Sequence, residues 1–250
     1  MNIDLTHTRA IVTGASRGIG KAIAHALGES GARVVVHYRS ERAAAESLAQ
    51  QFPGSIALGA DLNDPGECVD LFKRAHDALG GIDLLVNNAA IALSSEMAKT
   101  TDEWVEDWES TMRVNLTAPA LLTREAIRAA GGSGLRIVFL ASRAAFRGDT
   151  PDYLAYAASK GGMVALSRSI ARGFGKEGVK AFVIAPGFTR TEMAEDFIRT
   201  YGEDYAMKDI ALDRMTEPRD IAPLVVFLAS GLADHATGTS IDMNAASYVR

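Results

Sequence analysis

The sequence contains a single cysteine, Cys68, so no disulfide can form within its 250 residues. It also lacks long apolar runs, and none approaches the ~20 residues that a membrane-spanning helix needs. Residues 1–9 have no apolar signal core ahead of the first strand-like run. With no indication of export, we expect a cytoplasmic protein that does not enter a membrane.

Positive charge is also in short supply. The chain has 26 Lys and Arg against 31 Asp and Glu, a formal net charge of −5. Nucleic acids and anionic membranes attract basic surfaces, so neither is an expected partner. The five histidines, at positions 7, 25, 37, 76 and 235, do not have the spacing of metal ligands, and no metal is expected.

The dominant pattern is an alternation of short β-branched runs with longer alanine-rich, amphipathic stretches. A strand followed by a helix, repeated, predicts a parallel sheet, and right-handed crossovers make it doubly wound with helices on both faces. With no linker in the sequence, we predict one α/β domain over residues 1–250. The predicted strands are 10–13, 33–38, 55–58, 84–87, 136–140, 180–184 and 240–243. The predicted helices are 19–30, 41–52, 65–79, 102–130, 152–176 and 218–230.

A glycine-rich loop follows the first predicted strand and opens the first helix. It reads Thr13-Gly14-Ala15-Ser16-Arg17-Gly18-Ile19-Gly20. Glycine lets the backbone turn sharply and approach a pyrophosphate, and the helix N-terminus offers free N–H groups to the phosphates. The GxxxGxG spacing differs from the general GxGxxG fingerprint, but its place after strand one predicts dinucleotide binding in a Rossmann-type fold.

This loop resembles the TGxxxGxG signature of the short-chain dehydrogenase/reductase family, and further motifs extend the resemblance over nearly the whole chain. Within this family, the chain most resembles the 3-oxoacyl-[acyl-carrier-protein] reductase-like members. The resemblance implies an NAD(P)-dependent oxidoreductase that acts on a small molecule, and a homotetramer (or dimer) built through the long helices 102–130 and 152–176. At the C-terminus, Asn244-Ala245-Ala246 stands where the family usually has Asp-Gly-Gly.

The end of the second strand indicates which nicotinamide cofactor is used. An acid at this place binds the ribose 2′-hydroxyl of NAD, whereas arginine accommodates the 2′-phosphate of NADP. Residues 31–40 contain no Asp or Glu, whereas Arg39 and Ser40 end the strand and Arg17 lies in the glycine loop. Guanidinium groups suit phosphate oxygens, so we predict NADP(H) over NAD(H), with Glu41 as the one contrary sign.

Three further segments match the family's cofactor motifs. Asp61-Leu62 follows strand three, where the resemblance implies contact with adenine. Asn87-Asn88-Ala89-Ala90 resembles NNAG, so Asn88 and Ala89 are expected near the adenosine. Pro186-Gly187-Phe188-Thr189-Arg190-Thr191 matches PGxxxT. Pro186 and Gly187 fix a turn at the cofactor, and the resemblance implies that the Thr189 backbone and the Thr191 hydroxyl hold the nicotinamide carboxamide.

Tyr156-Ala157-Ala158-Ser159-Lys160 is a YxxxK motif inside a predicted helix. Residues at i and i+4 lie on one helical face. Ser142 follows strand five, and Asn115 lies on the preceding long helix. The family's catalytic set is Asn, Ser, Tyr and Lys in this order. The resemblance therefore implies Asn115, Ser142, Tyr156 and Lys160 as catalytic residues, with Tyr156 and Lys160 also contacting the cofactor.

Carbonyl reduction needs a hydride on carbon and a proton on oxygen, and Tyr156 can give the proton. An ordinary tyrosine pKa of ~10 is high for this work. An ammonium at ~5 Å, at an effective dielectric near 20, would lower it by about 2 units. The resemblance implies further roles: Lys160 holds the ribose, Ser142 the carbonyl oxygen and Asn115 a water. Tyr153 is a rival for the acid, but no lysine lies four residues after it.

The substrate is not fixed by the sequence. Pocket residues are expected at the sheet's C-terminal edge, and segment 189–216 after strand six is expected to form a lid. An acyl carrier would need a basic patch, but Glu177 stands where the family has an arginine for that contact. Two alternatives stay open: a substrate that is a sugar, polyol or other small alcohol, and a protein that is a catalytically silent dinucleotide sensor. The pocket candidates are 91–94, 143–146, Arg147, Tyr153, Phe188 and Met193 onward.

Overall fold

The computed structural model describes residues 3–249, except for the side chains of Met193, Asp196, Phe197, Thr200, Tyr201, Tyr205 and Ala206. Across these residues the strands form one parallel seven-stranded sheet in the order β3-β2-β1-β4-β5-β6-β7. The order reverses between β1 and β4, which places a crevice at the C-terminal ends of these two strands. The strands are β1 Arg9–Val12, β2 Arg33–Tyr38, β3 Ile56–Gly59, β4 Leu84–Asn87, β5 Leu135–Leu140, β6 Val179–Pro186 and β7 Ser240–Met243.

The predicted doubly wound α/β sheet is therefore confirmed. Side chains alternate between its two faces along each strand: Ala10 and Val12 lie in the core layer that includes α1, α2 and α10, and Ile11 lies in the layer that includes α3, α5 and α7. The helices are α1 Gly18–Glu29, α2 Arg42–Ala49, α3 Pro65–Leu79, α4 Thr101–Met112, α5 Ala118–Ala130, α6 Ala144–Arg147, α7 Leu154–Phe174, α8 Glu192–Tyr201, α9 Glu203–Met207 and α10 Pro218–Ala229.

The prediction of a single helix over residues 102–130 is wrong in one respect. This segment is divided into α4 and α5 by a π-helical turn at Arg113–Thr117. A π turn carries about one extra residue but leaves the backbone helical on both sides, so helix-forming residues run through it without a break in the sequence. Likewise α7 is shorter than predicted, because a separate 3₁₀ turn at Pro151–Tyr153 precedes it. Among residues 3–249, no helix is both long and apolar enough to span a membrane.

After β7 the chain makes a turn in which two alanines adopt the left-handed conformation. Ala245 has φ 50° and Ala246 has φ 57°. These are positions where the family pattern has glycine. For a residue with a side chain, the left-handed conformation is less stable than the right-handed one by roughly 1–2 kcal/mol. The turn also contacts segment 189–216, because the Ala211 N–H donates to the Ala245 carbonyl over 2.9 Å.

We expect Ala246→Gly to raise the free energy of unfolding by about 0.5–1 kcal/mol, since relief of the φ strain exceeds the added flexibility of the unfolded chain. Urea unfolding of the variant and the parent measures this difference. Ala165→Gly, at an exposed position inside α7, is the control and should lower stability by about 0.5–1 kcal/mol. A loss of stability for both variants would contradict the strain argument.

Candidate active site

The glycine loop packs so closely on the end of β4 that two of its glycines cannot carry a side chain. Gly14 has φ +61°, and a Cβ there would lie 2.9 Å from Cα of Ala89. A Cβ on Gly20 would collide with the Gly14 carbonyl and the Asn88 amide. The loop backbone is therefore bare where α1 begins, as the close approach of a pyrophosphate requires.

The N-terminus of α1 is suited to bind an anion. Its N-cap is Arg17, and in the described structure no side chain caps this end and no acid occupies the first turn. The N–H groups of the first turn have no partner inside the helix, and the helix dipole adds partial positive charge there. Ser16, Gly18 and Ile19 lie in this turn or just before it, so these residues fit the diphosphate of a dinucleotide.

Thr13 and Asn88 join the ends of β1 and β4. The Thr13 hydroxyl oxygen accepts from the backbone N–H of Asn88 at 2.9 Å and of Ala89 at 3.0 Å. The Asn88 amide nitrogen donates to the carbonyls of Thr13, at 2.8 Å, and Gly14, at 3.1 Å. The Asn88 side chain thus holds the glycine loop in place, and its amide nitrogen is already engaged by that loop.

A histidine that the sequence reasoning set aside lies behind the same loop. His37 in β2 is 2% exposed, and its Nδ1 accepts from the Gly14 N–H at 2.9 Å. The sequence signal that could have found it is its position: a polar residue in an otherwise apolar central strand, two residues before Arg39.

The residues expected around the adenosine lie on adjacent loops at the same sheet edge. Arg39 and Ser40 directly follow β2 and are exposed. Asp61 and Leu62 follow β3; the Asp61 carboxylate accepts from the Asn63 N–H at 2.9 Å, and Leu62 is 5% exposed. The sheet thus brings together the four residues predicted from separate parts of the chain.

Arg17 has a partner that the sequence did not indicate. Its guanidinium donates to the Glu192 carboxylate at 2.6 Å, and both side chains are more than half exposed. Glu192 is the first residue of α8, in the expected lid. An arginine predicted to face the cofactor phosphate is therefore paired with a carboxylate of α8.

The Pro-Gly motif ends β6 and starts the expected lid. The Gly187 N–H donates to the Met243 carbonyl at 3.1 Å, and the Thr189 hydroxyl to the Gly187 carbonyl at 3.2 Å. The Thr191 hydroxyl oxygen caps α8 by accepting from Ala194 N–H at 3.3 Å, which leaves its own proton to donate. Thr189 also pairs with Thr216 in an isolated parallel bridge, so the two ends of segment 189–216 are fastened together.

Tyr156 and Lys160 lie one turn apart at the start of α7. Lys160 is 2% exposed, its Nζ is 5.6 Å from the centroid of the Tyr156 ring, and it donates to the Leu140 carbonyl at 2.7 Å. Ser142, which follows β5, is hydrogen bonded to the Tyr156 side chain. Ser142, Tyr156 and Lys160 therefore form one cluster, as the sequence predicted.

The expected direction of the tyrosine pKa is wrong for this structure. Burial raises the pKa of Tyr156 to about 12, against a smaller lowering by the Ser142 hydrogen bond, and the Asp149 carboxylate raises it further. Lys160 does not reverse this, because burial lowers its own pKa to about 7 and its ammonium is directed at Leu140. The protein keeps the tyrosine proton in place at neutral pH, which is the form that can donate it.

Asn115 lies in the π-helical turn and is fully buried. Its amide nitrogen donates to the Ile91 carbonyl at 2.8 Å and to the Ser159 hydroxyl at 3.1 Å, and its amide oxygen accepts from the Ile91 N–H at 2.9 Å. Ser159 in turn donates to the Tyr156 carbonyl at 2.7 Å. The side chain thus ties the loop after β4 to α7, and both protons of its amide nitrogen are engaged, so the expected water would have to donate to an oxygen.

Tyr153 occupies a different place from Tyr156. It is the last residue of the 3₁₀ turn and the N-cap of α7, with φ −124° and ψ 36°. Tyr156 is inside the helix, where the i to i+4 spacing brings Lys160 beneath it. The geometry therefore favours Tyr156 over its sequence rival.

The expected substrate side of the cluster is charged as well as aromatic. Arg143 is 9% exposed and its guanidinium carbon lies 5.9 Å from the Phe188 ring centroid. Arg147 reaches the lid residue Asp209 at 3.5 Å. The Met193 side chain, also expected here, lies outside the described residues. Among those described, no three His, Cys, Asp or Glu side chains group into a metal site.

Comparisons with known proteins agree with this architecture. A family model described as enoyl-(acyl carrier protein) reductase matches residues 14–245. The chain is 33% identical over 241 residues to the 3-oxoacyl-[acyl-carrier-protein] reductase FabG of Vibrio cholerae, covering 96% of this chain and 97% of the relative. It is 34% identical over 248 residues to a short-chain type dehydrogenase/reductase of Picea abies, covering 94% and 90%.

Solved structures show the same relationship. A short chain dehydrogenase from Burkholderia cenocepacia in complex with NADP has a TM-score of 0.90 and 30% identity, with 99% of each chain covered. The match in sequence and fold extends across the glycine loop, the Ser-Tyr-Lys cluster and the segment after β6. The chain therefore belongs to the short-chain dehydrogenase/reductase family of NAD(P)-dependent oxidoreductases.

Proposed function

We propose that the protein interconverts a carbonyl and a secondary alcohol with NADP(H), and that Tyr156 is the acid and base. The observation that carries this proposal is the cluster of Ser142, Tyr156 and Lys160, which lies at the same edge of the sheet as the glycine loop. When bound, the nicotinamide supplies or accepts the hydride at the carbonyl carbon. Tyr156 gives its phenolic proton to the carbonyl oxygen in reduction and takes it back in oxidation.

The neighbours of Tyr156 position the carbonyl oxygen for this proton transfer and restore the proton afterwards. The Ser142 hydroxyl, already bonded to Tyr156, fixes the carbonyl oxygen against the phenol. Lys160 provides an amine whose pKa, lowered to about 7 by burial, allows it to return a proton near neutrality. Asn115 keeps this helix in register with the loop after β4 through Ile91 and Ser159.

The preference for NADP(H) rests on charge at the end of β2. Arg39 and Ser40 are exposed there, and residues 31–40 contain no acid that would repel a 2′-phosphate. The NADP complex of the Burkholderia cenocepacia relative supports this choice.

The test is the absorbance decay of NADPH and of NADH with a panel of ketones. We expect turnover with at least one ketone and a lower KM for NADPH; turnover with NADH alone would overturn the cofactor assignment.

Glu192 is expected to weaken the preference for NADPH, because it holds Arg17 by an ion pair at 2.6 Å. In Glu192→Gln we expect the ratio of kcat/KM with NADPH to that with NADH to rise about two- to fivefold, in keeping with an exposed pair worth about 0.2–1 kcal/mol. Glu195→Gln, on the same helix, is the matched control. The ratio should not change in Glu195→Gln, and an unchanged ratio in Glu192→Gln as well would show that the ion pair with Glu192 does not weaken the preference for NADPH.

For the substrate, we propose a 3-oxoacyl-like compound or a sugar, polyol or other small alcohol, enclosed by segment 189–216. Asp149, near enough to Tyr156 to raise its pKa, and the buried Arg143 favour a substrate with polar groups beside the carbonyl. Comparing kcat/KM for an acyl thioester, an apolar ketone and a polyhydroxy ketone separates these classes.

We also propose a homotetramer or dimer. Exposed apolar side chains lie on the helices that the family resemblance places at interfaces, such as Val105 on α4 and Leu154 on α7. Light scattering of the purified protein gives the number of subunits.

A further inference from the structure

His37 joins the two cofactor loops from behind. Its Nδ1 accepts from the Gly14 N–H at 2.9 Å, and its Nε2 lies 3.1 Å from the Ala60 carbonyl. Gly14 begins the glycine loop, and Ala60 immediately precedes Asp61, at the expected adenine site. A single buried ring therefore spans the distance between the two segments that would hold the adenosine half of the dinucleotide.

The two backbone partners determine the form of the ring. An N–H group must face a nitrogen without a proton, and a carbonyl must face a nitrogen that carries one. Only the neutral tautomer with its proton on Nε2 satisfies both. Burial lowers the pKa of His37 to about 4, with the positive charge of Arg74 acting in the same direction and the Asp61 carboxylate opposing it. The carbonyl of His37 adds a second tie to the loop by accepting from the Ala15 N–H at 2.8 Å.

We propose that His37 is a positioning residue for the dinucleotide, setting the spacing between the glycine loop and the Asp61 segment. Its two ring nitrogens are engaged by the Gly14 N–H and the Ala60 carbonyl, so it would act on the dinucleotide through these two backbone positions. The proposal rests on the family's dinucleotide binding and is independent of the preference for NADP. A change at His37 should alter the Kd of the dinucleotide and not the chemical step, because Ser142, Tyr156 and Lys160 lie on other elements of the fold.

The test compares two variants of His37 by NADPH fluorescence titration and by steady-state kinetics. His37→Phe keeps a ring but removes both nitrogens, and we expect the Kd for NADPH to rise tenfold or more while kcat at saturating NADPH changes less than twofold. His37→Asn restores an acceptor for Gly14 and should recover part of this loss. His235→Phe is the control. An unchanged Kd in His37→Phe, or a fall of kcat equal to the rise in Kd, would overturn the proposal.

A second measurement needs no variant and no turnover. In protein labelled with ¹⁵N at histidine, NMR should show that His37 is protonated on Nε2 and unprotonated on Nδ1 from pH 8 down to 5.5, with and without NADP⁺. A His37 ring protonated on Nδ1 anywhere in this range would refute the proposal even if His37→Phe failed to fold. Because titration and NMR need no substrate, a failure to find a reducible ketone would count against the proposed function alone.

Discussion

Tyr156→Phe is expected to lower kcat for carbonyl reduction by about 10²–10⁴-fold, the usual contribution of a positioned general acid. The change removes one oxygen and keeps the ring over Lys160. Because the glycine loop and Arg39 lie on other elements, the Kd for NADPH should change little. Single-turnover measurement of NADPH oxidation with a saturating ketone, beside a fluorescence titration of NADPH, gives both quantities.

Tyr153→Phe provides the matched control, since it makes the same chemical change three residues earlier in the chain. Its position at the N-cap of α7 predicts that kcat stays within a few-fold of the parent, with any effect falling on KM for the ketone. Equal rates for Tyr156→Phe and the parent would refute the mechanism. A large loss in Tyr153→Phe, with none in Tyr156→Phe, would transfer the acid to the rival tyrosine.

Lys160→Met is expected to abolish most activity and yet make the fold more stable, above all at acid pH. Lys160 is 2% exposed, and burial lowers its pKa to about 7 from 10.5. The unfolded chain therefore binds this proton more tightly than the folded chain. Stability of the parent is reduced most below pH 7, and the cost disappears as the pH rises toward 10.5. Methionine has a similar length and carries no charge.

The difference between two pH values isolates this effect, because most other consequences of the substitution, including the lost bond to Leu140, are similar at both. At 1.36 kcal/mol per pKa unit, the gain of Lys160→Met over the parent should be on the order of 2–3 kcal/mol larger at pH 6 than at pH 9. Urea unfolding without added cofactor measures it. Lys73→Met, at an exposed position on α3, should show no such difference.

A gain that is the same at both pH values would mean that Lys160 stays charged in the fold and that its burial has little cost. The expected outcome, in contrast, makes Lys160 a residue kept for chemistry at the expense of stability. It also means that Lys160 does not counteract the effect of burial on the pKa of Tyr156, because a lysine that gives up its proton near neutrality cannot stabilise a phenolate.

Much of the fold follows from local sequence. The strands are predicted to within a few residues because a parallel strand buried on both faces reads as a continuous β-branched run, as in Arg33–Tyr38. The glycine loop is equally recognisable in the sequence, since a Cβ at Gly14 would lie 2.9 Å from Cα of Ala89 and a Cβ at Gly20 would collide with the Gly14 carbonyl. The YxxxK spacing by itself brings Tyr156 and Lys160 to one face of a helix.

Only the tertiary structure decided how these parts act on one another. The π turn at Asn115, the pairing of Arg17 with Glu192 and the double contact of His37 each join segments far apart in the chain, and no local pattern records such partners. The pKa of Tyr156 is the clearest case. From the sequence a neighbouring ammonium should lower it, but the fold buries both groups and directs the lysine to Leu140, so desolvation outweighs attraction. The local sequence determined that Tyr156 and Lys160 meet; the three-dimensional packing determined their charge.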